Sequence, residues 1–466
     1  MVQLYMARDI AHFVNFPVYF YGQQYMGPLE SYVMAPLVRL FGFSWIKGRI
    51  YYEIFYLSFM GLYLWTVRRL FNHETTLYLF ILLCVLPFTA LFFTVIVGYS
   101  EILALAALCL ATLVKIASDT KSQKALTLLL GAVSGLAFWC NSLFIVWLIP
   151  IGVILFTVIP SSWKRGLPLW FSIGFLAGLF PVWIHGIRTG TFLVVQGAGY
   201  RFAALRDTPQ ILFLFFSRLR FFLSTYSFGW DFPILTQVII MTSFLPLVLF
   251  GVSFCALLFS VLKNFHNRTP AQKSFYLFMI LPCWMLGLFY VFRDMRADEG
   301  MRYFLPLLFP YAFSIAWWTQ TIRQESWKKI ILVTLAGVLL LGSAESLKMQ
   351  RRDTVEIYQI LNFLRKNGLN YGVTLSEPAY ALNALGHEEI LATPILYNAR
   401  YGPAWEMVKK QGPSFYILER SDPFYRKEAE TDPNLKKISF PRYDLFYGRS
   451  PLLLEILEAK NPVHNL

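Results

Sequence analysis

The sequence is short of charge. Only 15% of its 466 residues are Asp, Glu, Lys or Arg, whereas 57% are hydrophobic. Soluble globular domains carry about 25% charged residues, so the composition excludes that class. The mean hydropathy is +0.52, and several apolar windows of about twenty residues are each long enough to cross a hydrocarbon core about 30 Å thick. These features predict an α-helical polytopic membrane protein.

Cysteine is also scarce, and acidic residues are outnumbered by basic ones. All five cysteines lie in apolar windows and show neither CxxC nor metal-ligand spacing. This spacing excludes a disulfide framework or a cysteine metal site and predicts small buried hydrophobes. The net charge is +14, but most basic residues lie in short loops between apolar windows, and no nucleic-acid motif accompanies them. We therefore predict no nucleic-acid partner.

No apolar window precedes residue 50. From there we predict about ten spans, at 50–71, 75–97, 99–117, 125–140, 142–160, 166–187, 233–262, 273–292, 301–319 and 328–346. Basic residues concentrate in every second loop, which the positive-inside rule places in the cytoplasm. These residues are Arg68, Arg69, Lys121, Lys124, Lys164, Arg165, Lys263, Arg268, Lys273, Arg323, Lys328 and Lys329. The pattern predicts an extracytoplasmic first loop with interfacial helices at 1–49, a transmembrane helical domain at 50–346 and a small extracytoplasmic domain at 347–466.

An outside position for residues 1–49 requires a way across the membrane. Residues 1–20 contain Arg8, Asp9 and His12 and no apolar run like that of a signal peptide. We therefore expect a transmembrane helix before Met1. The alternative is that residues 1–49 are cytoplasmic and one span is miscounted, most readily within 125–160, which is either two short spans or one re-entrant hairpin.

Several short motifs follow one another along the chain. They are Ala7 to Ala11, Phe16 to Glu30, Ala35 to Leu37 with Phe41 and Gly42, Gly135 to Asn141, and Arg302 to Pro306. In this order and spacing the chain resembles the GT-C type integral-membrane glycosyltransferases, the relatives of dolichyl-phosphate-mannose protein mannosyltransferase and of the aminoarabinose lipid A transferase of bacteria. The resemblance covers most of the chain and implies transfer of a sugar from a polyprenyl-phosphate donor to an acceptor outside the cytoplasm.

The resemblance also bears on the start of the chain. In that family an acidic pair precedes the Ala-Arg element, and its leading Asp is the catalytic base. Laid on this sequence, Ala7 and Arg8 place that pair immediately before Met1. The resemblance thus implies the same preceding helix, and either the start is assigned too far downstream or the chain is a degenerate relative.

Transfer from a lipid phosphate needs a carboxylate for the acceptor hydroxyl and positive charge for the departing phosphate. Glu30 ends the glycine-rich segment and is the first candidate catalytic carboxylate; a solvated loop residue is the alternative. Asp9, on a helix predicted from Val2 to Phe13, is the second candidate, and a surface ion pair is its alternative.

The glycine-rich segment also offers substrate contacts. Gly22, Gly27 and Pro28 break regular structure and shape a loop around Gln24 and Tyr25. We predict that Gln24 and Tyr25 bind substrate, because Tyr25 presents an aromatic face and a hydroxyl to a sugar. The alternative for Tyr25 is a place in an interfacial aromatic belt.

Arginines concentrate in an outside loop, against the positive-inside trend. Guanidinium groups suit a phosphate, so we predict that Arg302, Tyr303 and Arg296 bind the donor phosphate, with Arg201 from the long loop 188–232. Pairing with neighbouring acidic residues is the alternative for the arginines.

Two further features lie near that long loop. The apolar segment from Ile211 to Phe222 predicts an interfacial helix beside the groove for the lipid carrier. His185, at the end of a predicted span, is a further candidate for substrate binding, although histidines in such places are usually interfacial.

The composition changes after residue 347. A helix from Thr354 to Lys366 is expected to end at Gly368. Strands are predicted at Gly372–Leu375, Glu389–Ala392 and Phe415–Leu418, with helices beginning near Pro378 and after Pro403. This order predicts a small C-terminal α/β domain with parallel strands, for which acceptor recognition and a plain structural role are the alternatives.

The leading hypothesis is a glycosyltransferase of the bacterial cytoplasmic membrane, with its active site on the extracytoplasmic side and a polyprenyl-phosphate sugar and membrane lipid as partners. The alternatives are an inactive or truncated relative that binds lipid-linked sugar, and a membrane transporter. A transporter is expected to show internal repeats and charges within spans. No repeat is visible, and Glu53 and Glu101 lie near span ends. The sequence shows no metal-ligand set, and Mg²⁺ or another divalent cation is left open as a cofactor.

Overall fold

The computed structural model describes residues 2–21, 26–43, 45–86, 99–119, 121–159, 165–190, 215, 219, 222–223, 233–292, 298–374, 378–386, 389–394, 402–420 and 426–458. The chain divides into two compact units. The helical unit comprises Tyr25–Glu30 and Ile50–Ser346, and the sheet unit comprises Met1–Gln24, Ser31–Arg49 and Leu347–Leu466.

The chain is mostly helical up to residue 366. The helices are α1 (Val2–Ala11), α2 (Leu29–Phe41), α3 (Trp45–Leu70), α4 (His73–Cys84), α5 (Ser100–Ser118), α6 (Gln123–Cys140), α7 (Ile145–Thr157), α8 (Leu167–Gly178), α9 (Phe180–Thr189), α10 (Pro233–Asn264), α11 (Pro270–Phe292), α12 (Leu308–Thr321) and α13 (Glu325–Lys366). Short 3-10 helices cover Ser142–Phe144, Phe265–Asn267 and Asp298–Leu307. Each predicted span overlaps at least one of these helices, and α1 confirms the helix predicted from Val2.

Membrane-spanning character is clear for part of this set. Among the described residues, Ser100–Ser118, Gln123–Cys140 and Leu245–Asn267 are long and apolar enough to cross a membrane. The pair Leu167–Gly178 and Phe180–Thr189, bent by 54°, makes a fourth if it counts as one span. The chain is therefore a helical membrane protein, while the number of ten spans stays a prediction.

The helices of the helical unit differ in what surrounds them. The apolar window of Ser100–Ser118 is 78% buried inside the protein, whereas that of Leu245–Asn267 is only 28% buried. Since both are strongly apolar, α5 is an inner helix, and α10 presents apolar side chains such as Phe259 and Leu262 outward. This arrangement suits a helix bundle whose outer face meets lipid.

Aromatic side chains fill the core of the helical unit around Phe309 of α12. Its ring contacts those of Phe59, Tyr63 and Trp147, with centroids 5.0, 4.9 and 5.9 Å away. The Tyr63 hydroxyl donates to the Phe309 carbonyl at 2.7 Å, so the buried phenol has a hydrogen-bond partner. These contacts join α3, α7 and α12.

Glycines allow α6 and α8 to pack backbone against backbone. A Cβ on Gly131 or Gly135 of α6 would lie 2.1 or 2.2 Å from the carbonyl oxygen of Phe171 or Phe175 of α8. A Cβ on Gly174 or Gly178 would lie 2.1 Å from a carbonyl oxygen of α6. Small residues facing each other in this way bring helix axes close, as is common between membrane helices.

The cysteines only partly follow the prediction. Cys109 and Cys140 are buried, but Cys84 and Cys255 are exposed on the surfaces of α4 and α10. The prediction of burial was wrong for these two, because an apolar window does not distinguish the inner from the outer face of a helix.

The end of the last predicted span also differs from expectation. No break separates it from the helix predicted at Thr354, because α13 runs without interruption from Glu325 to Lys366. It ends at Lys366, as predicted, two residues before Gly368, whose φ is +64°. The Leu369 amide donates to the Leu364 carbonyl at 2.9 Å, which is the hydrogen bond of a Schellman motif.

The sheet unit contains one five-stranded sheet, in the order β2-β1-β3-β5-β4. The strands are β1 (Tyr371–Thr374), β2 (Leu391–Pro394), β3 (Phe415–Glu419), β4 (Lys436–Ser439) and β5 (Tyr443–Tyr447). Strands β1, β2 and β3 are parallel, as predicted, whereas β5 pairs antiparallel with β3 and β4. Strands β4 and β5 were not predicted from the sequence.

Helices cover both faces of this sheet. Along β3, Phe415 and Ile417 face one apolar cluster with the end of α13 and with α14 (Pro378–Leu385), and Tyr416 and Leu418 face another. The second cluster includes residues of α15 (Gly402–Gln411), α16 (Arg426–Thr431) and α17 (Pro451–Glu458). The period of two along the strand thus places alternate side chains in separate cores.

Side chains also satisfy polar groups of the sheet. On edge strand β2, the Asn383 amide donates to the Ala392 carbonyl at 2.9 Å and accepts from the Ala392 amide at 2.6 Å. On β5, the Asp444 carboxylate accepts from Arg426 at 2.5 Å and Ser439 at 2.6 Å and lies 3.2 Å from Lys437. These hydrogen bonds and ion pairs give partners to the polar groups of edge strand β2 and of β5.

Candidate functional site

The glycine-rich segment is fixed to the end of α6. The Gly27 amide donates to the carbonyl oxygens of Trp139 and Cys140, at 2.9 and 3.2 Å. A Cβ on Gly27 would lie 2.4 Å from Cε2 of the Trp139 ring, so only glycine permits this approach. Two motifs that are far apart in sequence, Phe16 to Glu30 and Gly135 to Asn141, therefore meet at this point.

Local hydrogen bonds after α6 leave the last carbonyl groups of this helix available to the turn. Asn141 follows the helix in an extended conformation, and its side chain accepts a hydrogen bond from the Leu143 amide at 2.9 Å. This bond begins the 3-10 helix Ser142–Phe144 and leaves the terminal carbonyls of α6 available to the Gly27 amide. The helix end thus supplies acceptors that a loop amide can satisfy.

Glu30 follows directly and is buried, with 1% of its surface exposed. It lies in the first turn of α2, where the positive end of the helix dipole favours a carboxylate. For Glu30, the alternative to a catalytic role was a solvated position in a loop. The burial of the Glu30 side chain excludes that alternative.

A second carboxyl group accompanies Glu30. Glu101 lies in the first turn of α5, is 0% exposed, and lies close to Glu30. The Ser100 hydroxyl donates to Glu101 Oε2 at 3.3 Å. Two buried carboxyl groups thus lie near each other, each at the start of a helix.

No role was predicted for Glu101 from the sequence. It was noted only as a charge near a span end, and nothing in the spacing connects it with Glu30. The available signal was its position at the start of an apolar helix, because ionisable residues inside such helices are rare and usually serve a purpose. Pairing it with Glu30 required the three-dimensional structure.

Asp9 has a different environment, in the sheet unit. The Tyr21 hydroxyl donates to Asp9 Oδ2 at 2.8 Å, and the Asn15 amide donates to the same hydroxyl at 3.2 Å. Arg8 Nε lies 3.9 Å from Asp9 Oδ1, and its guanidinium stacks on the Tyr5 ring. Asp9 thus holds the start of the glycine-rich segment through Tyr21, and the ion pair that was the alternative to a catalytic role is present.

The predicted donor-phosphate site is only partly described. Arg302 and Tyr303 lie on the 3-10 helix Asp298–Leu307, and Tyr303 is half-buried. The next residue, Phe304, packs against Phe215 and Phe222, with ring centroids 5.3 and 5.9 Å apart. Residues of the long loop therefore lie beside the Arg-Tyr element.

The remaining predicted residues fall in different places. Arg296, Arg201, Gln24 and Tyr25 lie outside the described residues, as does most of the segment from Ile211 to Phe222. His185 is half-buried on α9. In the described part of the chain, no three His, Cys, Asp or Glu side chains come together as a metal site.

Comparisons with known proteins bear on the fold. No protein-family model and no curated protein sequence matches the chain. Among solved structures, ArnT from Cupriavidus metallidurans in the apo state matches with a TM-score of 0.59 and 10% identity, covering 96% of this chain and 92% of that one. The same protein bound to undecaprenyl phosphate matches with a TM-score of 0.55 and 12% identity, covering 97% and 93%.

These matches extend over nearly the whole of both chains, so they include the helices, the sheet and the elements that carry the candidate site. At 10% and 12% identity the likeness concerns the fold. The chain therefore has the same fold as the ArnT structures.

Proposed function

We propose that this protein is a membrane glycosyltransferase that moves a sugar from a polyprenyl-phosphate donor to an acceptor hydroxyl outside the cytoplasm. The observation that carries the proposal is the whole-chain likeness to ArnT, one structure of which is bound to undecaprenyl phosphate. The proposal includes a bacterial cytoplasmic membrane and an active site on its extracytoplasmic side, as the loop charges predict.

The carboxylates Asp9 and Glu30 are the proposed acid-base groups for the acceptor hydroxyl. Asp9 receives a hydrogen bond from Tyr21, which orients the carboxylate. Glu30 is buried in the first turn of α2, close to Glu101. A carboxylate in either position is able to accept the proton that the acceptor hydroxyl loses on attack.

For the donor, we propose that Arg302 and Tyr303 contact the phosphate, with Arg296 and Arg201. The leaving group in such a transfer is a polyprenyl phosphate, whose developing charge a guanidinium stabilises. Phe304 and Phe222 beside this element are buried, and their ring contact anchors the element in an apolar core. Gln24, Tyr25 and His185 remain the proposed contacts to the sugar or acceptor.

None of the proposed reaction steps involves a metal ion. Carboxylate and phosphate oxygens suit Mg²⁺, but the described side chains do not assemble a set of three ligands. The suggestion of a divalent cation stays a prediction, tested by adding EDTA and then Mg²⁺ to the assay.

The test uses the full-length protein in nanodiscs and a polyprenyl-phosphate sugar labelled in the sugar. We expect labelled sugar to be released from the lipid or transferred in the presence of a membrane-lipid extract. Arg302→Ala is expected to raise the donor KM strongly, and Arg323→Ala, an exposed arginine in a predicted cytoplasmic loop, serves as its matched control.

Each alternative has its own outcome. Movement of the intact lipid-linked sugar across the bilayer would support a transporter. Binding of undecaprenyl phosphate without cleavage of the donor would support an inactive relative. Full turnover by Arg302→Ala would refute the assignment of the donor site while leaving the enzyme class intact.

A further inference from the structure

Basic side chains gather at one end of the helical unit, where α3 ends and α11 begins. Arg268 precedes α11, and Lys273 lies in its first turn. Arg68 and Arg69 lie in the last turn of α3. The amino terminus of a helix carries partial positive charge, which favours acidic residues there, but the first turn of α11 contains none. Arg268 and Lys273 therefore stand beside a helix end that repels them, unless an anion is bound.

Local hydrogen bonds hold the backbone that carries Arg268. The Arg268 amide donates to the Phe265 carbonyl at 3.2 Å. In the next residues, the backbone amide of Thr269 donates to the Gln272 side-chain oxygen, and the backbone amide of Gln272 donates to the Thr269 hydroxyl, each at 3.3 Å. These two bonds form a capping box, which fixes the start of a helix. The point from which the Arg268 side chain leaves the backbone is therefore fixed.

Aromatic rings join this loop to the end of α3. The Arg268 guanidinium carbon lies 5.6 Å from the centroid of the Tyr276 ring. That ring contacts the ring of Phe71, with centroids 5.8 Å apart. Phe71 directly follows α3, so the contact places Arg68 and Arg69 at the same end of the unit as Arg268.

The Arg268 side chain makes no hydrogen bond or ion pair with the residues that the structure describes. Its Nε is buried without a partner, and its contact with Tyr276 involves the face of the guanidinium. A guanidinium has five N–H donors, and a buried donor without an acceptor is costly. The acidic residues that follow α3 and α12, Glu74 and Glu325, are both paired with Lys328, at 3.6 and 2.6 Å. Arg268 thus lacks an anion within the described part of the chain.

Exposed apolar surface adjoins these basic residues. Phe259 and Leu262, in the last turns of α10, are 68% and 69% exposed, and Lys263 directly follows them. On α3, the Arg69 guanidinium carbon lies 5.4 Å from the ring of Trp65, which is also exposed. A phospholipid has its phosphate next to its acyl chains, so cations beside an apolar outer face suit a lipid better than a soluble anion.

We propose that Arg268, together with Lys273 and the two arginines at the end of α3, binds the phosphate of an anionic phospholipid in the leaflet at this end of the helical unit. A guanidinium donates two parallel hydrogen bonds to a phosphate, and the acyl chains lie along the exposed face of α10. The positive-inside rule predicts that this is the cytoplasmic leaflet. The proposal is separate from the transfer reaction and does not depend on the proposed function.

The first experiment measures lipid binding by native mass spectrometry of the full-length protein in detergent. The probes are phosphatidylglycerol and phosphatidylcholine with the same acyl chains. We expect the wild type to bind phosphatidylglycerol more tightly than phosphatidylcholine. Arg268→Gln should weaken the binding of phosphatidylglycerol at least about 10-fold, because hydrogen bonds between charged groups are lost. Equal affinity of the wild type for the two lipids would overturn the proposal.

Two further variants make this comparison specific. Lys121→Gln is the matched control, since it removes one positive charge from an exposed loop in which the Lys121 amide already contacts Asp119 at 2.9 Å. It should bind phosphatidylglycerol as the wild type does. The double variant Arg68→Gln with Arg69→Gln changes only exposed side chains and should also weaken binding. If Arg268→Gln and the double variant both bind as Lys121→Gln does, the proposal is wrong.

A soluble headgroup tests whether the site takes a lipid. Glycerophosphoglycerol is phosphatidylglycerol without its acyl chains. At the same concentration as the lipid, it should not displace phosphatidylglycerol from the wild type. Displacement would show that the basic residues bind a soluble phosphodiester, and the assignment to a lipid would fail.

The second experiment measures thermal unfolding in detergent, without turnover. Phosphatidylglycerol should raise the unfolding midpoint of the wild type and of Lys121→Gln, because a ligand stabilises the folded protein that binds it. It should have little effect on Arg268→Gln. Without anionic lipid, Arg268→Gln should unfold at the wild-type temperature or above it, since repulsion at the start of α11 is relieved. A rise of wild-type size in Arg268→Gln would contradict the proposed site.

Discussion

The Gly27 amide and the Trp139 carbonyl oxygen are 2.9 Å apart, and the Trp139 indole covers the Gly27 Cα so closely that a Cβ would lie 2.4 Å from its Cε2 atom. This contact fixes the turn that leads into Glu30. It also explains why a glycine and a tryptophan from separate motifs belong to one structural element. The position of the carboxylate is therefore tied to the end of α6.

We predict that Gly27→Ala displaces the turn and lowers donor turnover by about 100-fold, because a shift of about 1 Å in a positioning element has effects of that size. Gly61→Ala is the matched control, since a Cβ there meets no atom within 4 Å. Trp139→Leu in the Gly27→Ala background should recover part of the activity by removing the ring. Unchanged turnover in the single variant would show that the turn is not coupled to the reaction.

Tyr21 offers a test of Asp9. We expect Tyr21→Phe to lower kcat with little change in protein stability, because it deletes the 2.8 Å hydrogen bond to Asp9 and leaves the ring in place. Tyr358→Phe, an exposed tyrosine on α13, is the control. An unchanged kcat in Tyr21→Phe would argue against Asp9 as the proton acceptor.

The close contact of α6 and α8 makes a stability prediction. A Cβ on Gly135 would meet the Phe175 carbonyl oxygen at 2.2 Å, so Gly135→Ala must push the helices apart, at a cost of about 1–3 kcal/mol. The midpoint of thermal unfolding in detergent should fall below that of Gly152→Ala, whose Cβ meets nothing within 4 Å. Equal midpoints of thermal unfolding would mean that the two helices can move apart without loss of stability.

Asp444 makes the sheet unit sensitive to acid. Burial raises the pKa of its carboxyl, but hydrogen bonds from Ser439, Arg426 and Lys437 outweigh burial and lower the pKa to about 2. The unfolded chain has an Asp pKa of about 3.9. The stabilisation is therefore present above about pH 4 and is lost as the pH falls from there towards 2.

Hydrogen exchange of the β3 and β5 amides checks this prediction. In the wild type, protection of these amides should fall between about pH 4 and pH 2, after correction for the intrinsic exchange rate. Asp444→Asn should lower protection at neutral pH and remove much of this acid dependence, whereas Glu455→Gln, an exposed change on α17, should alter neither. A wild-type acid response that survives in Asp444→Asn would assign it to another group.

The sequence predicted the helices well because an apolar window and helix formation have the same cause, namely the burial of apolar side chains with satisfied backbone groups. Every predicted span overlaps a helix of the structure. The break expected before Thr354 was absent, because charged residues such as Arg351 and Arg352 end an apolar window without ending the helix. The helix ends only before Gly368, whose φ is positive.

Strand prediction succeeded for the parallel strands and failed for β4 and β5. Strand β4 is an exposed edge strand that contains Lys436 and Lys437, and β5 includes the buried Asp444. Charged residues are rare in strands, and both strands are stabilised by the ion pair of Lys437 with Asp444, which only the tertiary structure provides.

The residues of the candidate site also divide into those that the sequence could identify and those that only the structure could. Glu30 and Asp9 were identifiable from their motifs, because each stands in a polar segment of an otherwise apolar chain. The partner of Glu30 was not, because the contact with Glu101 depends on how α2 begins beside α5. A local pattern can identify a charged residue, but packing determines which other acidic residue lies near it.

The two hydrogen bonds between Asn383 and Ala392 have a consequence for how copies of this protein behave towards one another. They occupy the outward-facing peptide group of edge strand β2, and an unoccupied group of this kind can recruit a strand from a neighbouring molecule. At the opposite edge, Lys436 of the exposed strand β4 repels the same residue of a second copy. The sheet is thus protected from intermolecular strand addition on both sides, by a side-chain amide at one edge and by like charge at the other.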